Sequence, residues 1–195
     1  MENRLQNSRH SQVPEAFAYA YKLHADQKRK GSDTPYIAHL MSVAARVYEM
    51  GGSETEIIAA LLHDSVEDQG GRTVLDEIHD RFGDEVAQIV LNCSDSMGKP
   101  KPPWRERKVA FLARIKTFDE STLRVVLADK THNVSSTLLD LKTNAQSTVW
   151  KKFNGGKSGS IWYYTQLKLE LSKRIDSIYM DEFCAIVDEI VRIGN

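Results

Sequence analysis

The sequence lacks most of what would mark a secreted, membrane-bound or polyanion-binding protein. Only two of its 195 residues are cysteine. Cys93 and Cys184 stand far apart with no companion at zinc-ligand spacing, so neither a disulfide framework nor a cysteine-based metal site is supported. Long hydrophobic runs are missing: the longest, Ile57 to Leu62, falls far short of the roughly 20 residues that cross a bilayer. The opening Met1-Glu2-Asn3-Arg4 is polar, with no apolar stretch behind it, which argues against a signal peptide. Neither sign of charge dominates. Lys and Arg total 26 against 27 Asp and Glu, a net charge of −1, whereas nucleic-acid binders and polybasic membrane proteins carry a basic excess. Internal repeats and low-complexity tracts are absent, and 41% hydrophobic with 27% charged residues is the make-up of an ordinary globular chain. The expectation is a soluble, cytoplasmic protein of about one domain, with neither a membrane nor a nucleic acid as partner.

What is present reads as helix. Ser11 and Pro14 are placed to open a first helix carrying Phe17, Tyr21 and His24 at helical spacing. A basic loop, Lys28 to Asp33, precedes Thr34-Pro35, read as N-cap and first-turn proline of a helix running to about Met50. Gly51-Gly52 ends it, and Ser53 with Glu56 forms a capping box for a third helix over about 53–66. That helix is apolar nearly all round, as befits the middle of a bundle. Further helices are predicted at about 72–82, 84–96, 104–117, 121–141, 159–177 and 181–193, with helix-breaking residues from Met97 to Pro103. Arg124 to Ala128 has strand character, but no second strand offers itself as partner. The fold class expected is all-α, one domain over 1–195 with its core at about 12–177 and a C-terminal helix at about 181–193.

Chemistry collects where the buried third helix ends, at His63-Asp64-Ser65-Val66-Glu67-Asp68. His63 and Glu67 share one helical face, Asp64 and Asp68 the next. Three carboxylates at a helix C-terminus oppose the macrodipole, and carboxylates leaving a core helix are partly desolvated. A bound cation resolves both conflicts; a polar cap protruding into solvent is the plainer alternative. A second cluster, Asp129, Asn133 and Ser136, forms a polar stripe on a helix whose Leu127, Val134, Leu138 and Leu141 face elsewhere. His39 stands one turn into the second helix. Two histidines and two aspartates from three helices make a nitrogen–oxygen set suited to a divalent transition metal.

His39, His63-Asp64 and Asp129 together resemble the H…HD…D signature of the HD-domain metal-dependent phosphohydrolases. Within that family the chain looks like the hydrolase domain of the guanosine tetra- and pentaphosphate (alarmone) enzymes. Three strings carry the likeness: Arg29-Lys30 leading to Thr34-Pro35-Tyr36-Ile37-Ala38-His39; Ala60 to Asp68; and Leu127-Ala128-Asp129-Lys130-Thr131-His132-Asn133. The likeness covers roughly residues 15 to 176. A length of 195 leaves no room for the synthetase domain of the long bifunctional enzymes, so a stand-alone small hydrolase is expected.

The resemblance implies an HD-domain helical bundle in which His39, His63, Asp64 and Asp129 hold one Mn²⁺. It implies that Glu67 and Asp68 orient or deprotonate the attacking water, and that Arg29, Lys30, Asn133 and Ser136 contact a small-molecule nucleotide. The reaction implied is removal of the 3′-diphosphate to give GDP or GTP plus pyrophosphate. Read from the residues alone, Arg29 and Lys30 fit a solvated charged loop equally well. The basic stretch Lys99 to Lys108 is a candidate for holding phosphates, with Arg105 first among its members, and Tyr163 is a candidate for touching substrate. His24, His79 and His132 are not expected to be ligands.

Several positions depart from the family pattern. Leu40 replaces a usual proline, Lys130-Thr131 a usual Arg-Leu, and Ser136 a frequent threonine. Gly156-Lys157-Ser158 resembles the end of a phosphate-binding loop, but position 151 is lysine where the first glycine belongs, so that reading fails. Two alternatives to the alarmone reading remain open. One is an HD-type phosphatase acting on a 5′-mononucleotide or on the 2′-phosphate of NADPH; the other is a non-catalytic nucleotide-sensing module.

Overall fold

One long helix with two apolar faces organises the chain. The computed structural model describes residues 11–98 and 100–194. Met1 to Arg4 and Lys99, each drawn on above, lie outside the described residues. The elements in order are α1 (Val13–Leu23), α2 (Ile37–Glu49), α3 (Glu54–Leu62), α4 (Arg72–Phe82), α5 (Asp84–Cys93), α6 (Trp104–Arg114), α7 (Glu120–Thr143), α8 (Gln146–Lys151), α9 (Gly156–Ser172) and α10 (Ile178–Gly194). A π-helical turn, Val66–Gly70, follows α3, and a 3₁₀ turn, Ile115–Thr117, follows α6. No strand occurs among the described residues, in keeping with the all-α expectation, and none of the described helices is long and apolar enough to cross a membrane.

The 24-residue α7 is shared by two hydrophobic cores. Its Val125 and Ala128 join the core formed by α1 to α5, while Leu123, Val126, Leu127 and Val134 join the core formed by α6 to α10. Helix α3 lies inside the first core with every residue from Ile57 to Leu62 buried, which explains a helix with no polar face. Full burial of a side chain such as Ile58 or Leu62 is worth about 2 kcal/mol.

Local signals set the helix ends. Ser53 and Glu56 make the expected capping box, the Ser53 side chain accepting from the Glu56 N–H and the Glu56 carboxylate from the Ser53 N–H. Asp119 caps α7 by accepting from the Thr122 N–H at 2.8 Å. Arg174 donates to the carbonyls of Ile115, Lys116 and Phe118, satisfying backbone acceptors where α6 and its 3₁₀ turn run out.

Several boundaries differ from the sequence expectation. Thr34 and Pro35 do not begin α2. Backbone bonds from the Arg29 N–H to the Thr34 carbonyl and from the Tyr36 N–H to the Gln27 carbonyl instead fold residues 27–36 into a narrow hairpin around Gly31. Ser11 donates to Glu54 at 2.9 Å, pinning the start of α1 to the start of α3, and supplies no more than a 3.3 Å acceptor to the Val13 N–H. Helix α3 stops at Leu62 rather than 66, and α5 at Cys93 rather than 96. The unexpected α8 inserts six helical residues before α9, which begins three residues earlier than expected. Arg124 to Ala128 is an internal stretch of α7.

Candidate metal centre

Three helices converge on one buried point. His39 sits in the first turn of α2, His63 at the C-terminal cap of α3 with Asp64 next to it, and Asp129 midway along α7. The apolar residues that bury α3 against α2 and α7 carry these side chains with them. Donor atoms of His39, His63 and Asp129 all lie within 4.8 Å of one another. Asp129 Oδ1 is 3.3 Å from His39 Nε2 and 3.5 Å from His63 Nε2; Asp64 Oδ2 is 3.4 and 3.1 Å from the same two nitrogens. Both Nε2 atoms are buried and make no hydrogen bond.

The opposite ring nitrogens explain that orientation. His63 Nδ1 lies 2.8 Å from the Ala60 carbonyl, which only accepts, so Nδ1 carries the proton and Nε2 presents a lone pair when the ring is neutral. His39 Nδ1 lies 2.8 Å from His132 Nδ1. Burial and the neighbouring His39 push the His132 pKa down to about 4, so His132 is a neutral acceptor at physiological pH. His39 then donates through Nδ1, and its Nε2 also presents a lone pair.

Charge in the cluster is arranged for a cation. Burial opposes a proton on His63, yet Asp64 and Asp129 outweigh it and hold its pKa well above the ordinary imidazole value. Burial likewise opposes ionisation of Asp129 and Asp64, yet both stay well below the usual carboxylate range. Lys130 and His63 act on Asp129, His63 and the nearby His39 ring on Asp64. The adjoining cavity, about 170 Å³, is lined by five carboxylates against the ammonium groups of Lys108 and Lys130. Asp95, Glu67 and Asp68 have Arg107, Lys108 and Lys101 as partners, which leaves Asp64 and Asp129 facing the imidazoles, where a cation would balance them. Oxygen and nitrogen donors about 2.0–2.2 Å from a zinc-like ion, at tetrahedral or octahedral angles, stand about 2.8–3.6 Å apart. The four spacings above fall inside that window, so the residues present fit a divalent metal.

Neighbouring groups hold the donors in place. The Tyr36 hydroxyl donates to Asp64 Oδ2 at 2.6 Å, its own ionisation suppressed by burial and by Asp64 and Asp68. Lys130 donates to Asp129 Oδ2 at 2.6 Å; burial opposes its charge, but Asp129 keeps it protonated well above the ordinary lysine range. The Asn133 amide donates to Asp129 Oδ1 at 2.5 Å. Cys93 also lines the small cavity, but burial pushes its thiol pKa up and leaves it a poor ligand at neutral pH.

Glu67 and Asp68 stand on the π-helical turn beyond Asp64. Gly71 closes that turn at φ +57°, and a Cβ there would meet the Met97 carbonyl oxygen at 2.5 Å, so only glycine fits. The Glu67 carboxylate accepts the Asp95 N–H at 3.2 Å and Lys101 Nζ at 3.0 Å. Burial, with Asp95 and Asp64, raises its pKa above the ordinary glutamate value against the pull of Lys101. Asp68 accepts from Gln27 at 2.9 Å, and Gln27 in turn binds His24 Nδ1.

Beyond these carboxylates a wider cavity of about 480 Å³ opens toward solvent. Arg29, Lys30, Asn133 and Ser136 all line it. Arg29 donates to Asn133 at 2.8 Å and Lys30 to Asn154 at 2.9 Å, while the Ser136 hydroxyl is turned back onto the His132 carbonyl. Arg105, singled out from the sequence, does not line this wall; its guanidinium stacks 3.1 Å over the Trp162 ring centre. Arg107 and Lys108 reach the cavity in its place. Tyr163 lines both cavities with its buried hydroxyl unpartnered. The sequence reading missed His132 and Tyr36. The one signal for His132 was its position three residues after Asp129, on the same helical face.

The profile of the HD domain family matches residues 16–154. A Xenopus tropicalis protein named guanosine-3′,5′-bis(diphosphate) 3′-pyrophosphohydrolase MESH1 is 38% identical over 133 residues, covering 67% of this chain and 69% of that protein. A Synechocystis protein named as a probable enzyme of the same activity is 37% identical over 133 residues. The chain spans only 16% of its length, and 11% of a similar protein from Aquifex aeolicus. A solved structure described as a metazoan ortholog of SpoT that hydrolyzes ppGpp superposes with a TM-score of 0.71 at 25% identity, covering 93% of this chain and 94% of the other.

Proposed function

The chain belongs to the HD-domain family, and from that premise we propose that it hydrolyses the 3′-diphosphate of guanosine tetra- or pentaphosphate, releasing GDP or GTP and pyrophosphate. The observation that carries this reading is the pair of buried, unpartnered imidazole nitrogens facing two carboxylates, with Glu67 beside them and a cation-lined cavity behind. His39, His63, Asp64 and Asp129 are the residues that would hold one divalent ion, which we assign as Mn²⁺; the same donor set is compatible with iron, cobalt or zinc. When bound, the ion supplies Lewis acidity that makes water acidic and polarises a phosphoryl oxygen.

The chain's own residues supply the rest. Glu67, with its raised pKa, takes the proton of the attacking water, and Asp68, braced by Gln27, orients that water. Attack on the phosphorus attached to the 3′ oxygen breaks that P–O bond. The nucleoside 3′ oxygen takes up the proton that Glu67 collected, and the water oxygen leaves in the pyrophosphate. Arg29 and Lys30 bind the nucleotide from the outer rim, with Asn133 and Ser136 along the helix wall between rim and metal donors. Arg29 also lies 5.5 Å from the Tyr36 ring centre, which ties the rim to the residue bracing Asp64.

The test is a screen of the metal-reconstituted protein against guanosine tetra- and pentaphosphate, 5′-mononucleotides and NADPH, with the products identified. Release of pyrophosphate with GDP or GTP is the expected result. Orthophosphate alone would replace this reading with the phosphatase alternative, and no turnover with retained nucleotide binding would replace it with the sensing module.

A further inference from the structure

Apart from Lys130, which lines both cavities and is bound to Asp129, the cations lining the two cavities fall into two banks. Arg29, Lys30 and Lys152 line only the wide cavity, at its outer rim. Arg107, which also lines only the wide cavity, and Lys108, which lines both, stand side by side on the first turns of α6, at the end nearer Glu67. Both inner cations are tied to one carboxylate, Asp95, whose side chain is 3% exposed. Arg107 bonds Asp95 Oδ1, and Lys108 reaches Asp95 Oδ2 at 2.7 Å. The arrangement continues into the candidate catalytic group. Asp95 donates its backbone N–H to Glu67 Oε2, and Arg107 Nη1 stands 3.5 Å from Glu67 Oε1. Lys108 Nζ sits 5.0 Å from the Tyr163 ring centre, and the Tyr163 hydroxyl is the buried, unpartnered group on that wall.

A buried aspartate thus holds two cations at the edge of a cavity that both of them line. We infer that Arg107 and Lys108 form the subsite for the departing pyrophosphate, distinct from the outer bank that binds the rest of the nucleotide, with Asp95 as its positioning residue. Arg107 offers planar paired donors and Lys108 a compact charge, the combination that grips adjacent phosphate groups. Asp95 keeps the pair poised without exposing uncompensated charge, and yields part of its hold when a more highly charged anion arrives. The inference rests on the pyrophosphohydrolase reading for the identity of the anion, but not for the existence of the site.

The experiment measures binding of inorganic pyrophosphate and of GDP, separately, to metal-loaded wild-type protein and to Arg107→Gln and Lys108→Met. Calorimetry reads affinity without turnover. Each substitution is expected to weaken pyrophosphate binding about tenfold or more while GDP binding changes less than threefold. Equal losses for both ligands, or an unchanged pyrophosphate affinity, would overturn the assignment. Should Arg107→Gln fail to fold because Asp95 loses a partner, Asp95→Asn/Arg107→Gln removes both charges and carries the same expectation. A protein that binds pyrophosphate through these residues yet does not cleave guanosine tetraphosphate would refute the proposed function alone. Cleavage with no selective pyrophosphate loss would refute the subsite alone.

Discussion

Replacing Asp95 by asparagine tests whether the inner cation bank is held by charge. Asparagine has the shape of a neutral aspartic acid, so the variant stands in for the wild type with that one carboxyl protonated. In the folded protein the Asp95 pKa falls from the ordinary 3.8 to about 2; burial opposes this, but Lys108 and Arg107 outweigh it. At about 1.36 kcal/mol per pH unit the difference corresponds to about 2 kcal/mol. Solvent at the cavity mouth screens the pair, which brings the expected contribution to about 1–2 kcal/mol. Because the folded pKa is the lower one, this stability is present above the unfolded value and lost as pH falls toward 2. Urea unfolding followed by circular dichroism at pH 7, 4.5 and 3 should therefore show the variant weaker by about 1–2 kcal/mol at pH 7. The gap should persist at pH 4.5 and narrow at pH 3, because both proteins weaken in acid but only the wild type also loses the Asp95 contribution. A gap of the same size at all three values would mean that the loss comes from packing or hydrogen-bond geometry, and the electrostatic account would be wrong.

Three other outcomes are expected. Asp129→Ala should release the metal and abolish hydrolysis, read by elemental analysis beside a turnover assay; unchanged metal content would remove Asp129 from the donor set. Glu67→Gln with Asp68→Asn should keep the metal while lowering kcat by about 10² or more, and full turnover in that double variant would end the proton-acceptor role. His132→Phe keeps a ring but leaves the His39 Nδ1–H without its acceptor. Metal affinity by chelator competition should drop about 10–100-fold, and an affinity matching wild type would show that the contact does not orient His39.

Features that depend on neighbours in sequence were legible before the structure. The Ser53–Glu56 capping box is a contract between residues three apart, and the all-apolar α3 announces its own burial. The strings around His39, His63 and Asp129 suggested a common point because each sits on a helix with a recognisable apolar face. Features set by tertiary partners were not legible. Nothing local tells Pro35 that it belongs to a hairpin rather than a helix, and the need for glycine at the end of the Val66–Gly70 turn comes from the distant Met97 carbonyl, which leaves no room for a Cβ at Gly71. The choice of Arg105 over its neighbours failed on helical phase. With α6 starting at Trp104, the inward face runs through Trp104, Lys108 and Phe111, with Arg107 at its edge, and Arg105 points elsewhere. Helix α8 is six residues long, too short for periodicity to mark it.

The double membership of α7 leaves the polypeptide without a seam. A backbone cut anywhere in the proline-containing stretch between α5 and α6 would part His39 and His63 from Asp129, and would strip the N-terminal fragment of Val125 and Ala128. Neither fragment would then own a complete donor set, and the N-terminal one would also lack part of its core, while the C-terminal one would keep its own core but expose Val125 and Ala128. Regained metal uptake on mixing the two pieces would report their reassociation, so the same four side chains could serve as a built-in gauge for split-protein complementation.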